Sequence, residues 1–205
     1  MTLRFANKAP SEVFVLYGIW STLWVVAHLA GGLFVGAALG AIGMLVPERY
    51  QPAGLALFCI LCLLWALREF RLIKLPMPQW QRQVQQQWLG RLPWNLLAVG
   101  FGVQLGCAVA TRIKTTITYA ALCAALLVGS PIRGAIIMGT FGVARALPAL
   151  IAGPLVASPE RSMRFAVHLD RYSTMVARAM AGVLMLAAAA SAGGVWAAVA
   201  GMRRW

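Results

Sequence analysis

The sequence predicts an all-α fold, a polytopic transmembrane helical bundle of about five to six spans. Two compositional observations support this. Hydrophobic residues make up 61% of the 205 residues, with a mean hydropathy of +0.77, and only 11% of the residues are charged. A soluble domain carries about 25% charged residues. The third observation is a series of apolar stretches joined by short basic connections, and a spanning helix needs about 20 mostly apolar residues. Lipid is therefore expected to be the solvent for most of the chain.

The predicted organisation is a single transmembrane domain over residues 13–200. A cytoplasmic N-terminal lead at 1–12 precedes it, and a basic tail at 201–205 follows it. The apolar run after the lead is too long for the hydrophobic region of a signal peptide and shows no clear small-residue cleavage site. We therefore expect the first span to be retained.

The first apolar stretch, Val13–Val46, is too long for one untilted span. It predicts a helix over Val13–Leu33, followed by a short or continued glycine-rich segment. In that segment Gly36 and Gly40 form a small-xxx-small pair, which is typical of close contact between membrane helices. A turn is predicted at Pro47–Pro52.

A further apolar run, Ala53–Leu67, ends in a charged cluster that is expected at the membrane interface. The cluster consists of Arg68, Glu69, Arg71 and Lys74. The segment at 76–92 is the one long polar stretch, rich in glutamine, with Trp80 and Trp88. It fits either an amphipathic element lying on the lipid headgroups or a solvated loop.

The remaining chain predicts three or four helical elements. Pro93–Ala110 and Pro131–Val156 are apolar segments, and the last span is expected at about Thr174–Ala200. Tyr119–Val128 is too short to span alone. It is either half of a broken helix or the end of a helix that extends back through the preceding threonines.

The basic charge of the chain is attributed to membrane topology. The net charge is +13, from 18 Lys and Arg against 5 Asp and Glu. In a soluble protein this charge would indicate nucleic-acid binding. Here the basic residues flank apolar runs, where they are expected to meet anionic lipid. With five spans, the side of the N-terminus holds more basic residues than the other. We therefore predict a multi-pass protein of the cell membrane with a cytoplasmic N-terminus, whose partner is the lipid bilayer and not nucleic acid.

Four cysteines fall inside apolar runs, an arrangement unlike the disulfide framework of a small secreted domain. Cys59 and Cys62 form a C-x-x-C pair within a predicted helix rather than at a helix N-terminus, where a thiolate would be stabilised. Packing thiols are one interpretation; a redox or soft-metal role with Cys107 from a neighbouring helix is the other. Cys123 is interpreted as a packing residue.

His28 and Arg145 are the candidate polar residues within spans. An ionisable group in this position normally faces the bundle or a cavity. His28 is interpreted as a neutral, hydrogen-bonded packing residue, with haem or metal ligation as the alternative. Arg145 precedes Pro148, and its side chain is expected to reach carbonyls released by that proline, the interface, or an anionic substrate or partner.

Four local sequences resemble the transmembrane domain of the cytochrome c biogenesis CcdA/DsbD family. They are "PERYQPAGLALFCILCLLWAL" with the glycine-rich helix before it, "VGFGVQLGCAVA", "SPIRGAIIMGTFGVARALPALIAG" and "HLDRYSTMVARAMAGVLMLAAAA". The chain departs from the family in lacking a counterpart of its first helix ahead of Val13. Cys107 is also flanked by Gly106 and Ala108 where the family has prolines. The resemblance implies a conduit for thiol redox equivalents, with Cys107 at the redox position and a thioredoxin-like partner.

The resulting functional prediction is a thiol-redox membrane domain whose catalytic candidates are Cys107 and then Cys59 and Cys62. One alternative is a non-catalytic structural or assembly subunit of a larger membrane complex. Another is a small-solute or metal exporter. We expect no cofactor and no closed metal site, other membrane subunits as partners, and leave open whether the chain is an enzyme.

Overall fold

The computed structural model describes residues 10–76, 93–108, 116–155 and 159–202. Within these ranges the chain forms α-helices and no β-strand, which confirms the predicted all-α class. The described helices, in chain order, are α1 (Pro10–Gly43), α2 (Gln51–Glu69), α3 (Trp94–Gly106), α4 (Thr116–Leu127), α5 (Pro131–Leu155) and α6 (Pro159–Met202). A single 3-10 turn, Glu48–Tyr50, precedes α2 within the predicted turn.

Three helical segments of the described chain are long and apolar enough to cross a membrane. They are Phe14–Gly43, Glu48–Glu69 and Thr174–Ala197. Two shorter apolar helices, Asn95–Gly106 and Thr116–Leu127, accompany them. These segments support association with a membrane. The count of five to six spans stays a prediction, and most of the Gln/Trp-rich segment at 76–92 lies outside the described residues.

Helix α1 runs without interruption through the whole glycine-rich stretch, beginning before the predicted Val13. Glycine within a helix costs only about 1 kcal/mol, and no proline occurs between Pro10 and Pro47 to break the hydrogen-bond ladder. At about 1.5 Å per residue, its 34 residues exceed a hydrocarbon core of about 30 Å. A helix of this length placed across a membrane would tilt or project beyond the core.

Helix α6 is much longer than the predicted span at Thr174–Ala200. It begins at Pro159, a residue well suited to the first helical position, and extends for 44 residues. No further proline follows to end it. The basic stretch at 161–171, which lies ahead of the predicted span, is therefore helical.

Helix α4 begins at Thr116, so the threonines extend it backwards, the second of the two predicted alternatives. Its first turn receives a partner from the end of α2. The Glu69 carboxylate accepts a hydrogen bond of 2.8 Å from the Thr116 hydroxyl and one of 3.4 Å from the Thr116 backbone N–H. The Arg68 guanidinium lies 3.2 Å from the same Glu69 oxygen. The Glu69 carboxylate thus joins the interfacial cluster to a helix N-terminus, where negative charge is favourable.

The chain divides into two compact units. Unit 1 combines Met1–Gly32, Gln81–Arg112 and Gly139–Tyr172. Unit 2 combines Leu33–Trp80, Ile113–Met138 and Ser173–Trp205. Helices α1, α5 and α6 contribute residues to both.

The core of unit 2 is built from α2, α4 and α6. Its buried members are Phe58, Cys62, Trp65, Ala66, Ala120, Ala181, Leu184 and Ala188. The α6 members recur every three or four residues and so share one face. Trp65 contacts Tyr119 with ring centroids 6.2 Å apart.

Glycines allow backbone-to-backbone contact within unit 2. A Cβ placed on Gly36 would overlap the carbonyl oxygen of Gly134, and a Cβ on Gly40 would overlap that of Ser130. Gly43 meets the carbonyl of Leu126 in the same way. Such contacts are what small residues permit in membrane helices, so the predicted small-xxx-small pair at Gly36 and Gly40 lies in a close helix contact.

Candidate functional site

One face of α1 in unit 1 carries aromatic and polar side chains in a continuous row. Its members are Tyr17, Trp20, Ser21, Trp24 and His28. Steps of three and four residues place side chains on one side of a helix. The aromatic rings contact in sequence: the ring centroids are 6.1 Å apart for Tyr17 and Trp20, 5.1 Å for Trp20 and Trp24, and 4.6 Å for Trp24 and His28.

His28 is the most enclosed polar member of this row, with 0% of its surface exposed. Its Nδ1 lies 2.9 Å from the backbone carbonyl oxygen of Trp24. A carbonyl oxygen can only accept, so Nδ1 carries the proton and donates it. In the neutral imidazole the other nitrogen, Nε2, is then a hydrogen-bond acceptor.

Glycines of two other helices enclose His28. A Cβ on Gly106 of α3 or on Gly142 of α5 would overlap the backbone of His28. A Cβ on Gly102 would lie 3.4 Å from His28 Nδ1 and closer still to Ala27. The absence of side chains at these three positions lets α3 and α5 approach α1 closely enough to exclude other groups from the histidine.

The phenol of Tyr17 holds α5 at the other end of the row. Its hydroxyl donates a hydrogen bond to the backbone carbonyl of Leu150. In an α-helix that carbonyl would accept from the N–H of the residue four positions later, which here is Pro154 and has none. Tyr17 therefore satisfies a carbonyl that the helix itself leaves open.

Arg145 lies on α5 between the two contacts just described, one turn after Gly142. The residue is half-buried. The sequence singled out His28 and Arg145 separately; the structure brings both into unit 1.

Three buried polar atoms of the α1 row have no hydrogen-bond partner among the described residues. They are Ser21 Oγ, Trp24 Nε1 and His28 Nε2. Gln104 Oε1 on α3 is in the same condition. The sequence did not lead us to predict Ser21, Trp24 or Gln104 as members of the site. The spacing of three and four residues from Ser21 to Trp24 to His28 could have predicted that these three share one helix face.

The cysteines are divided between the two units, and all four are free thiols. Cys107 belongs to unit 1, where its thiol lies 3.8 Å from the carbonyl oxygen of Gly31 and donates to it. Cys59, Cys62 and Cys123 belong to unit 2, in or against its core. Among the described residues no group of three or more His, Cys, Asp or Glu is arranged to hold a metal ion.

Comparison with known proteins identifies relatives that are each named Methylamine utilization protein MauF. The protein from Methylophilus methylotrophus is 30% identical over 130 residues, which cover 62% of this chain and 45% of that protein. The one from Methylobacillus flagellatus is 30% identical over 128 residues, 60% of this chain and 44% of that protein. The one from Paracoccus versutus is 26% identical over 126 residues, which cover 60% of this chain and 46% of that protein. The chain thus spans less than half the length of these relatives.

No protein-family model matches the chain, and no solved structure matches it.

The predicted membership of the CcdA/DsbD family is wrong, because the relatives are MauF proteins. The functional prediction of thiol redox in cytochrome c biogenesis is wrong for the same reason. Small-residue patterns carried the resemblance, and such patterns arise wherever membrane helices pack closely. Here Gly36, Gly106 and Gly142 serve those contacts. The redox position assigned to Cys107 rested on the resemblance and loses its basis.

Proposed function

We propose that this chain is a membrane accessory protein of methylamine utilization, acting as a non-catalytic structural or assembly subunit alongside other membrane proteins. The observation that carries the proposal is the 30% identity over 130 residues to a methylamine utilization protein. Because the match covers 45% of that relative, the activity of the whole relative enters here only as part of the proposal.

Hydrogen bonds of the described polar side chains to neighbouring helices support a structural role. Tyr17 donates to the Leu150 carbonyl, Cys107 to the Gly31 carbonyl, and Thr116 to Glu69. Each of these bonds joins two helices or a helix and the segment that follows another. Polar groups in this chain therefore contribute to holding helices together.

Exposed apolar side chains on the candidate spans supply surface for lipid or for partner subunits. Phe14 and Phe34 on α1 are 78% and 74% exposed, and Leu186 and Trp196 on α6 are 73% and 75% exposed. In lipid such residues are at no disadvantage, and helix association there depends on packing and small residues rather than on hydrophobic burial. The proposal includes a cytoplasmic N-terminus, which the distribution of basic residues favours.

Deletion of the gene from its host tests the proposal. Growth with methylamine as the only nitrogen source should fail, while growth with ammonium should be unchanged. A tagged copy should restore growth and should retain other membrane proteins after purification in mild detergent. Normal growth of the deletion strain on methylamine would overturn the proposed function.

A matched pair of variants makes the test specific to helix packing. Gly142→Leu places a side chain against the His28 backbone, whereas Gly182→Leu meets no heavy atom near its Cβ position. Only the first should lose partner retention and growth on methylamine. Equal behaviour of the two variants would argue against a role that depends on packing.

A further inference from the structure

The turn that follows α2, residues 70–75, has an arginine where a glycine would be more stable. Arg71 has a φ of 61°, in the left-handed region that glycine adopts without steric cost and other residues do not. The Arg71 N–H donates to the carbonyl of Arg68 at 2.8 Å, and the Leu72 N–H donates to that of Leu67 at 2.9 Å. These two bonds form a Schellman motif, whose left-handed position is usually glycine. The arginine side chain therefore calls for an explanation other than the backbone.

The α2 turn is fixed by the side chain of Arg68. Its Nε donates to the carbonyl oxygen of Leu75 at 3.1 Å, and its Nη1 lies 3.2 Å from the Glu69 carboxylate. The Leu75 side chain packs against the core of unit 2. The turn is thus held at both ends, and the charge of Arg68 is used inside the protein.

Two further cations of the turn are left for a group outside the chain. Arg71 and Lys74 are both exposed. Among the described residues, the one ion pair at this turn joins Arg68 and Glu69. The Glu69 carboxylate therefore offsets one of three positive charges, and the other two lie three residues apart on a fixed turn.

Apolar side chains of the same turn are exposed beside these cations. Phe70 is 43% exposed and Leu72 is 69% exposed. The candidate span Glu48–Glu69 ends at the residue before the turn. If that helix crosses a membrane, the turn lies at the level of the lipid headgroups, where cations meet phosphates and apolar side chains reach the acyl chains. A soluble polyanion would leave both apolar side chains in water, whereas a phospholipid covers them and the cations together.

We propose that the α2 turn binds one anionic phospholipid, whose phosphate is held by Arg71 and Lys74. The planar guanidinium of Arg71 can donate two hydrogen bonds to a phosphate, and the ammonium of Lys74 supplies a second positive charge. Two cations favour a headgroup of net negative charge, because a zwitterionic headgroup brings a cation of its own. The relatives' name does not assign this site, and the site does not depend on the proposed function.

Native mass spectrometry of the full chain, released from an uncharged detergent, tests the site. Phosphatidylglycerol and phosphatidylcholine with identical acyl chains are titrated separately, and the Kd of the first bound lipid is measured for each. Phosphatidylglycerol should bind more tightly, and equal affinities would overturn the proposal. Inorganic phosphate added at constant ionic strength should not displace the bound lipid. Displacement would show that the site takes a free phosphate and would overturn the assignment to a lipid.

A glycine variant separates binding from stability. Arg71→Gly removes a charge but supplies the residue that the left-handed position favours, so the unfolding temperature should be unchanged or higher. The affinity for phosphatidylglycerol should nevertheless fall about fivefold, as expected for one cation at a lipid surface. Lys74→Gln should give a similar loss and provides the measurement if the glycine variant fails to fold. Unchanged affinity in either folded variant would overturn the proposal.

A basic residue at the other end of α2 provides the control. The Arg49 guanidinium lies 4.8 Å from the centre of the Tyr50 ring, ahead of the helix, and Arg49→Gln removes the same single charge as Lys74→Gln. It should leave the affinity for the first phosphatidylglycerol unchanged. An equal loss in the Arg49 variant would show that net charge alone attracts the lipid and would overturn a site at the α2 turn.

Discussion

The hydroxyl of Tyr17 donates to the carbonyl of Leu150, which Pro154 leaves without its usual helical donor. The bond links α1 to α5 within unit 1. It also explains how α5 tolerates a proline near its end: the carbonyl that the proline orphans is satisfied from the neighbouring helix instead.

Tyr17→Phe should destabilise the protein by about 1–3 kcal/mol, because it leaves the part-buried carbonyl of Leu150 without a hydrogen-bond donor. Unfolding in detergent with increasing denaturant measures the change. Tyr172→Phe alters an exposed tyrosine and serves as the control. In a Pro154→Ala background residue 154 regains an N–H, so the cost of Tyr17→Phe should become smaller. An equal cost in both backgrounds would show that the phenol does not act through the Leu150 carbonyl.

Gly36→Ala should lower the free energy of unfolding by about 1–3 kcal/mol, the usual cost of overpacking. The added Cβ overlaps the carbonyl oxygen of Gly134, a backbone atom that cannot rotate away as a side chain can. Gly182→Ala, also in unit 2, meets no heavy atom within 4 Å and should be neutral or slightly stabilising. Thermal unfolding of the two variants in the same detergent gives the comparison; indistinguishable melting temperatures would make the Gly36 contact incidental.

Thr116→Val should lower the free energy of unfolding of the protein by about 0.5–1.5 kcal/mol, because α4 loses a hydrogen bond at its first turn. The substitution keeps the shape of the fully buried side chain but removes the hydroxyl that donates to Glu69. Glu69→Gln retains an acceptor oxygen and should cost less than Glu69→Ala. The Thr116→Val and Glu69→Ala effects should be less than additive in a double-mutant cycle. Strict additivity would mean that the two side chains do not interact.

Replacement of all four cysteines by alanine should leave growth on methylamine intact, since the function proposed here uses no thiol chemistry. The variant should be somewhat less stable, because Cys62 is fully buried and its truncation leaves a small void. Growth curves and membrane protein levels are measured together with the Cys62→Ala single variant as control. Loss of growth at normal protein levels would restore a role for a thiol.

A cytoplasmic N-terminus can be tested by accessibility labelling. In the cysteine-free protein, single cysteines placed at Arg4 and within Gln79–Gln87 should react from the same side of the membrane. The N-terminal position should be blocked by an impermeant reagent only after the cytoplasmic face is exposed. Labelling of the two positions from opposite sides would contradict the five-span arrangement.

Local sequence patterns accounted for much of the helical fold. The apolar runs predicted α2, α3 and α5 to within a few residues, because prolines or charged residues flank each run. The prediction was poorer for α6, because the basic stretch before Thr174 lay outside the predicted span. The basic residues of this stretch keep their backbone N–H groups and so do not break a helix, and no proline follows Pro159.

The sequence by itself determined that the chain is helical and suited to a membrane, because composition and run length are local properties summed along the chain. It also marked His28 and Arg145 as unusual. Only the tertiary structure decided that both belong to one unit, that Ser21 and Trp24 share the buried row with His28, and that Cys107 belongs to unit 1 while Cys59 and Cys62 belong to unit 2. These facts depend on which helices approach each other. Close approach requires glycines at the contact, such as Gly106 and Gly142 against the backbone of His28. Glycine patterns of the same kind occur in unrelated helix pairs. The sequence pattern therefore does not indicate which helix a glycine-rich face will contact.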